Sequence, residues 1–155
     1  MHVAGGSDTV LIALEAFVTA FLLLHDWIPL GRFNNLAAIR KQDSPGHRLL
    51  VTLLPGVPAA LGLYFSVAHF AGPYPHWLWM LLWITYGVLL LGLLRAWWVP
   101  YLLVPDQKRA ERYQVLFAGN HTFLPRRNGL SPDTLHVLFH AATVGALGML
   151  LLRSL

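Results

Sequence analysis

The chain has 155 residues, of which 56% are hydrophobic and only 12% charged, and its mean hydropathy is +0.55. Soluble domains carry about a quarter charged residues, so this composition excludes an ordinary soluble domain and defines a membrane protein. The absence of cysteine excludes disulfides, thiolate metal sites and cysteine nucleophiles, and the net charge of +4 follows from loop topology, with no nucleic-acid partner implied.

The opening MHVAGGSDTV has no lysine or arginine, so it lacks the positive region of a cleavable signal peptide and the first apolar segment is expected to stay in the mature protein. That segment runs from about Asp8 to Leu30, long enough to cross the hydrocarbon core, with Ser7 or Asp8 as its cap. Segment two opens at Ser44-Pro45, a serine cap with proline at the first helical position, and continues to about Ala71. Pro55 and Pro58 inside it predict kinks. Segment three starts near Pro75 and runs to about Val104, with Pro100 expected to break its last turns. Gln107 to Ala118 then reads as a short amphipathic helix, with Ala110, Tyr113 and Phe117 on one side and Lys108, Arg109, Glu111 and Arg112 mostly on the other. Asn34 to Arg40 repeats that pattern less strongly. Segment four opens at Ser131-Pro132-Asp133 and ends near Leu152, and its Ala141, Gly145 and Gly148 suit close approach of a neighbouring helix. The predicted fold is all-α: a single polytopic domain over 1–155 with four transmembrane helices in a bundle, at about 8–30, 47–71, 76–104 and 132–152. A short interfacial helix separates the third and fourth.

The basic residues orient this arrangement. Arg32, Arg40, Lys41 and Arg48 fall between segments one and two, and Lys108, Arg109, Arg112, Arg126 and Arg127 between three and four. The connection Ala71 to His76 has none. By the positive-inside rule both basic loops face the cytoplasm and both termini lie outside, with only Arg153 opposing. Six tryptophans and five tyrosines fit interfacial belts.

Ionisable groups within spanning segments are costly and are functional candidates by default. The topology brings His25, Asp26, Arg95, His121, His136 and His140 to one depth on the cytoplasmic side. Three chemistries suit them. His136 and His140, at i and i+4, present two imidazoles that together with His25 or His121 and with Asp26 would ligate zinc or non-haem iron. Without a metal, a histidine paired with Asp26 acts as general base while Arg95 stabilises negative charge. Equally, both histidines serve packing by hydrogen-bonding to neighbouring helices or loop carbonyls. Haem ligation by a histidine pair is a lesser option. Arg95, Arg126 and Arg127, near Lys108 and Arg112, suit a phosphate or carboxylate at the mouth of an apolar cavity. Asp26 is the expected partner of Arg95. Glu15, Thr19, Leu22 and Asp26 form one stripe of segment one, read either as a proton or ion path or as a single protonated glutamic acid bonded to a neighbouring helix. His69 and His76 read as interfacial, and His2 and His47 have no role.

HDWIPLG at 25–31, LRAWWVPY at 94–101 and FAGNHTFLPRRNGLSPDTLHVLFH at 117–140 together resemble uncharacterised small bacterial four-segment membrane proteins. The resemblance implies a bacterial cytoplasmic membrane and supplies no activity and no site residues. The arginine-and-asparagine pattern of small four-helix glutathione-dependent enzymes is missing, as are the signatures of translocator and small multidrug transporter families. The expected function is a small membrane-embedded enzyme acting on a lipid-like or isoprenoid-like anionic substrate, with His25, Asp26, His136 and His140 as the catalytic group. The alternatives are an oligomeric transporter or channel component using Glu15, and a non-catalytic assembly or binding protein. Membrane lipids, and a second copy of the chain, are the expected partners.

Overall fold

A computed structural model describes residues 4–155 and is helical throughout; His2 lies outside the described residues. Among the described residues six long or short α-helical segments follow one another, α1 (Ala4–Leu24), α2 (Leu36–Gln42), α3 (Pro45–Ala68), α4 (His76–Leu102), α5 (Gln107–Leu116) and α6 (Thr134–Ser154), with a single 3-10 turn at Gly31–Phe33 between α1 and α2. Among the described residues there is no strand, only an isolated antiparallel bridge between Arg127 and Leu130. Four helices, α1 from Gly6 onward, α3, α4 and α6, are long and apolar enough to cross a membrane.

The ends of these helices are set by local chemistry, and several differ from expectation. α1 stops at Leu24, not Leu30, because Asn34 folds back beneath it. The Asn34 amide donates to the carbonyls of His25 at 2.6 Å and Ile28 at 2.8 Å, and its oxygen accepts from Leu30 N–H at 2.8 Å. Pro29 disfavours helical geometry at Ile28 as well. Asp8 does not cap α1 but lies within it. Ser44 caps α3 as expected, accepting from His47 N–H at 3.2 Å, and Pro55 and Pro58 are retained inside that helix. The helix ends at Ala68, short of Ala71, whose φ of +58° turns the chain.

Pro100 does not break α4. It lacks an N–H, so the carbonyls behind it lose their donor. The helix widens into a π turn over Leu94–Trp98, and the Arg109 guanidinium donates from Nη1 to the carbonyls of Arg95 and Ala96, both at 3.0 Å. Asp106 orients that arginine by capping α5 through Arg109 N–H at 3.0 Å and holding Arg109 Nε at 3.1 Å. Asn128 covers the end of α4, donating to the carbonyls of Pro100 and Tyr101 at 3.1 and 3.2 Å. Asn128 and Gly129 have φ of +49° and +78°, the left-handed pair of a type I′ turn. This turn carries Leu130 into a small core with Tyr101 and Ala110. A Cβ on Gly129 would come within 3.0 Å of the Ala110 methyl.

α6 starts two residues later than the Ser131-Pro132 pair suggests. Its cap is Asp133, which accepts from His136 N–H at 2.9 Å, while the Ser131 hydroxyl donates to Thr122 Oγ1 at 3.3 Å within the preceding loop.

α1 packs against α3 and α6, and α4 packs against the same two helices, while α2 touches α5. Leu11, Val18, Leu78, Leu82, Tyr86, Ala146 and Leu150 form the fully buried centre. The close-approach glycines are Gly56 and Gly62 of α3, where an added Cβ would meet Leu23 at 2.6 Å and Leu82 at 2.8 Å. Of the small residues expected to do this in α6, Gly145 meets Leu14, Gly148 faces open space and Ala141 is exposed. At the end of the molecule that carries the α3–α4 connection, buried Asp8 pairs with Arg153 and accepts from Ala71 N–H at 2.9 Å. Arg153 also donates to the Gly72 carbonyl at 3.1 Å and lies 4.0 Å over the Tyr74 ring.

Candidate functional site

At the opposite end, where the basic loops lie, a cleft of about 600 Å³ opens between the turn after α1, the start of α6, α2, α3 and α5. His25 and Asp26 line it because α1 ends at Leu24, which turns both side chains off the helix axis. His136 lines it because Asp133 caps α6 one turn earlier.

Each histidine is paired with an aspartate. His25 Nδ1 is 2.8 Å from the Phe21 carbonyl, which accepts only, so Nδ1 carries the hydrogen. His25 Nε2 then lies 3.1 Å from Asp26 Oδ1, a contact that is attractive only with a proton between them. His136 donates from Nδ1 to Asp133, 3.0 Å from both carboxylate oxygens, which leaves Nε2 as its basic nitrogen. The two imidazoles face one another with centroids 5.7 Å apart and planes nearly perpendicular. An aromatic collar fixes them. Phe21 stacks between His25 and Phe139 at 4.1 Å on each side, and Trp97 and Phe117 each lie 5.0 Å from His136. The turn bearing His25 is anchored to α3 by Trp27, whose indole N–H donates to Thr52 Oγ1 at 2.9 Å beneath the buried Arg48 guanidinium.

Asp133 is almost fully buried. Burial alone would raise its pKa, but the hydrogen bonds and charge of His136, with Asn120 donating at 3.0 Å, outweigh this and hold the carboxyl below its ordinary 3.8. A carboxylate whose pKa is depressed on folding stabilises the fold above its unfolded pKa and loses that contribution as pH falls through the folded value. Thermal stability is therefore expected to drop as pH falls below about 3.8, and Asp133→Asn to flatten that acid limb in a melting series. A drop of unchanged size in the variant would place its origin elsewhere.

The mouth of the cleft is mixed in charge. Asp43, just past the end of α2, meets Arg112 on α5 at 2.7 Å, closing the rim, and Lys108 and Arg109 stand beside it. The ion pair is half exposed on the arginine side and contributes little by itself.

Other expected members lie elsewhere. Arg95 does not pair with Asp26: it is exposed on the outer face of α4, and Asp26 has His25 instead. Arg126 and Arg127 are exposed, and Arg126 borders a separate small cavity behind α5. His121 ties the loop to α6, with Nδ1 2.7 Å from Thr134 Oγ1, its N–H donating to the Arg32 carbonyl and its own carbonyl accepting from Thr134 N–H. His140 is buried among Trp97, Trp98 and Phe139 with neither ring nitrogen bonded, and does not line the cleft. Among the described residues no three His, Asp or Glu side chains are grouped to hold a metal ion. Glu15 is fully buried and accepts from Ser66 Oγ at 3.2 Å. Between it and Asp26 the apolar core takes in Val18 and Leu22.

Three contributors escaped the sequence reading. Asp133 stood only within the Ser131-Pro132-Asp133 helix opening, although D-x-x-H at a helix start places a cap carboxylate against the third-position histidine. Trp97 reaches His136 through the π turn, which no periodic pattern signals. Asn34 ends α1 across a loop.

The length and apolarity of its helices place the chain in the class of multi-pass, all-helical membrane proteins. Comparison with protein-family models, with curated proteins and with solved structures gives no match, so any functional reading has to come from the cleft itself.

Proposed function

We propose that the chain is a four-helix transmembrane bundle of a bacterial cytoplasmic membrane, with both basic loops in the cytoplasm, both termini outside and α5 lying at the membrane surface. We infer further that it is a small enzyme acting on a lipid-like or isoprenoid-like anionic substrate by acid/base chemistry. The observation that carries this reading is the pair of Asp–His couples facing one another across the floor of one cleft. The couples are not equivalent. His136, held by Asp133 with Nε2 available, is the general base; a proton taken up between His25 and Asp26, whose atoms lie 3.1 Å apart, would be the one delivered to a leaving or developing oxyanion. Lys108 and Arg112 at the rim would hold the anionic group, and the aromatic collar excludes water from the reacting end.

Purified protein incubated with a total lipid extract of a bacterial membrane is expected to convert one anionic lipid class, followed by mass spectrometry. Removal of a general base lowers rates by about 10²–10⁴-fold, so His136→Ala should abolish detectable conversion while leaving helicity intact. Conversion that persists undiminished in both His136→Ala and His25→Ala proteins would end the acid/base assignment.

A second reading has one observation of its own. The second carboxylate oxygen of Glu15 is buried without a hydrogen-bond partner, as suits an ion- or proton-handling group in an oligomeric transporter or channel component. Proteoliposome flux that is abolished by Glu15→Gln would favour it over the enzyme.

A further inference from the structure

We propose that a second groove, adjoining the histidine cleft at the first turn of α5, is a binding site for the phosphate head group of an anionic membrane lipid, held by Arg95 and Lys108. The groove has a volume of about 530 Å³ and lies between the last turns of α4 and the first turn of α5. Arg95 on α4 and Lys108 on α5 both line it, with Val99, Pro100, Val104 and Pro105 between them along the chain.

The charge balance singles out these two cations. Asp106 is the only acid in the groove, and it is committed to Arg109, accepting from its N–H at 3.0 Å and its Nε at 3.1 Å. These bonds, with the nearby charges of Arg109 and Lys108, hold the Asp106 carboxyl below its ordinary range. Arg109 in turn points inward to the carbonyls freed by Pro100. Asp106 and Arg109 thus neutralise one another within the fold. Arg95 and Lys108 are both exposed, and among the described residues neither has an ion-pair partner.

The position of Arg95 favours a lipid over a soluble anion. It lies seven residues before the end of α4, about 10 Å along a helix axis at 1.5 Å per residue, within a helix apolar enough to span a membrane. A long side chain there reaches back toward the head-group layer while its stem stays among acyl chains. A guanidinium fork and an ammonium lining the same groove match a phosphate. Leu91 and Val88, exposed on the same face of α4 one and two turns further into the span than Arg95, match a chain that continues into hydrocarbon, which a free phosphate does not have. The groove shares Asp106, Lys108 and Arg109 with the rim of the histidine cleft, so Arg95, which lines the groove alone, separates lipid binding here from the chemistry proposed for the cleft.

The test uses the full chain in detergent, with equimolar phosphatidylglycerol and phosphatidylcholine added and bound lipid counted by native mass spectrometry. The wild-type protein is expected to retain phosphatidylglycerol preferentially. Arg95→Gln and Lys108→Gln should each reduce that preference about fivefold, as expected for one basic residue near an anionic surface. Arg127→Gln, which removes an exposed charge from the turn before α6, should leave it unchanged. Arg95 makes no side-chain contact that holds the fold, so unaltered helicity is expected and is checked by circular dichroism. Equal retention of the two lipids by the wild type, or full preference in the Arg95→Gln/Lys108→Gln protein, would overturn the proposal. So would an equal loss in Arg127→Gln, which would signal generic charge attraction, or complete displacement by millimolar glycerol phosphate, which would identify a soluble-anion site.

Discussion

Asp8→Ala is expected to destabilise the folded chain by about 3 kcal/mol, the low end of the range for breaking a buried ion pair. Asp8 is 1% exposed and meets two partners, the Arg153 guanidinium and the backbone N–H of Ala71. Its removal strands a cation that lies 15% exposed at the end of α6, and the Ala71 amide in a left-handed turn. α1, α6 and the α3–α4 connection lose their common tie at the same time. The mechanism predicts a specific rescue. Asp8→Ala/Arg153→Met removes both charges and should recover most of the loss, because the penalty comes from the unpaired charge and not from the missing attraction. Melting curves of the two variants in the same detergent separate the cases: a double variant as unstable as the single would show that the pair acts through packing of its side chains.

Arg109→Ala should cost about 2 kcal/mol, since two main-chain acceptors lose their donor and each unsatisfied buried group costs about 1–3 kcal/mol. The lower part of that range applies because the Arg95 carbonyl is partly open to the surroundings. The same change loosens α5, the roof of the cleft, by freeing Asp106 from its side-chain partner. Pro100 supplies the control. In a Pro100→Ala background the restored N–H has the Ala96 carbonyl within its own helix to bond, so Arg109→Ala should cost about 1 kcal/mol less there. Additive effects of the two substitutions would refute the link between the proline and the arginine. Arg109→Lys should recover only part of the loss, since an ammonium cannot span two carbonyls in the plane of a guanidinium fork.

The membrane class and the four long helices were legible because they depend on composition and segment length, which are properties of consecutive residues. The Ser44-Pro45 opening of α3 was legible for a related reason, since a cap bonds an amide only two or three positions on, and the start of α5 was legible from its amphipathic pattern. The end of α1 was not, because Asn34 reaches back across a loop to stop it. Nor was the start of α6, where Ser131, Pro132 and Asp133 all suit a helix start and the choice fell to Asp133 once Ser131 had bonded to Thr122.

For the site, depth was legible and rotation was not. The sequence alone determined that His25, Asp26 and His136 lie at the basic-loop end, since that follows from counting along apolar segments. It determined equally that Arg95 and His140 lie near them in depth. Tertiary packing decided which of these meet. α4 turns Arg95 outward and Trp97 inward, and α6 turns His140 into an indole-lined niche and His136 toward the cleft. The physical reason is that on a helix apolar nearly all round, no amphipathic stripe announces the buried face; the angle of each helix is settled by shape, through contacts such as Gly56 on Leu23 and Gly62 on Leu82.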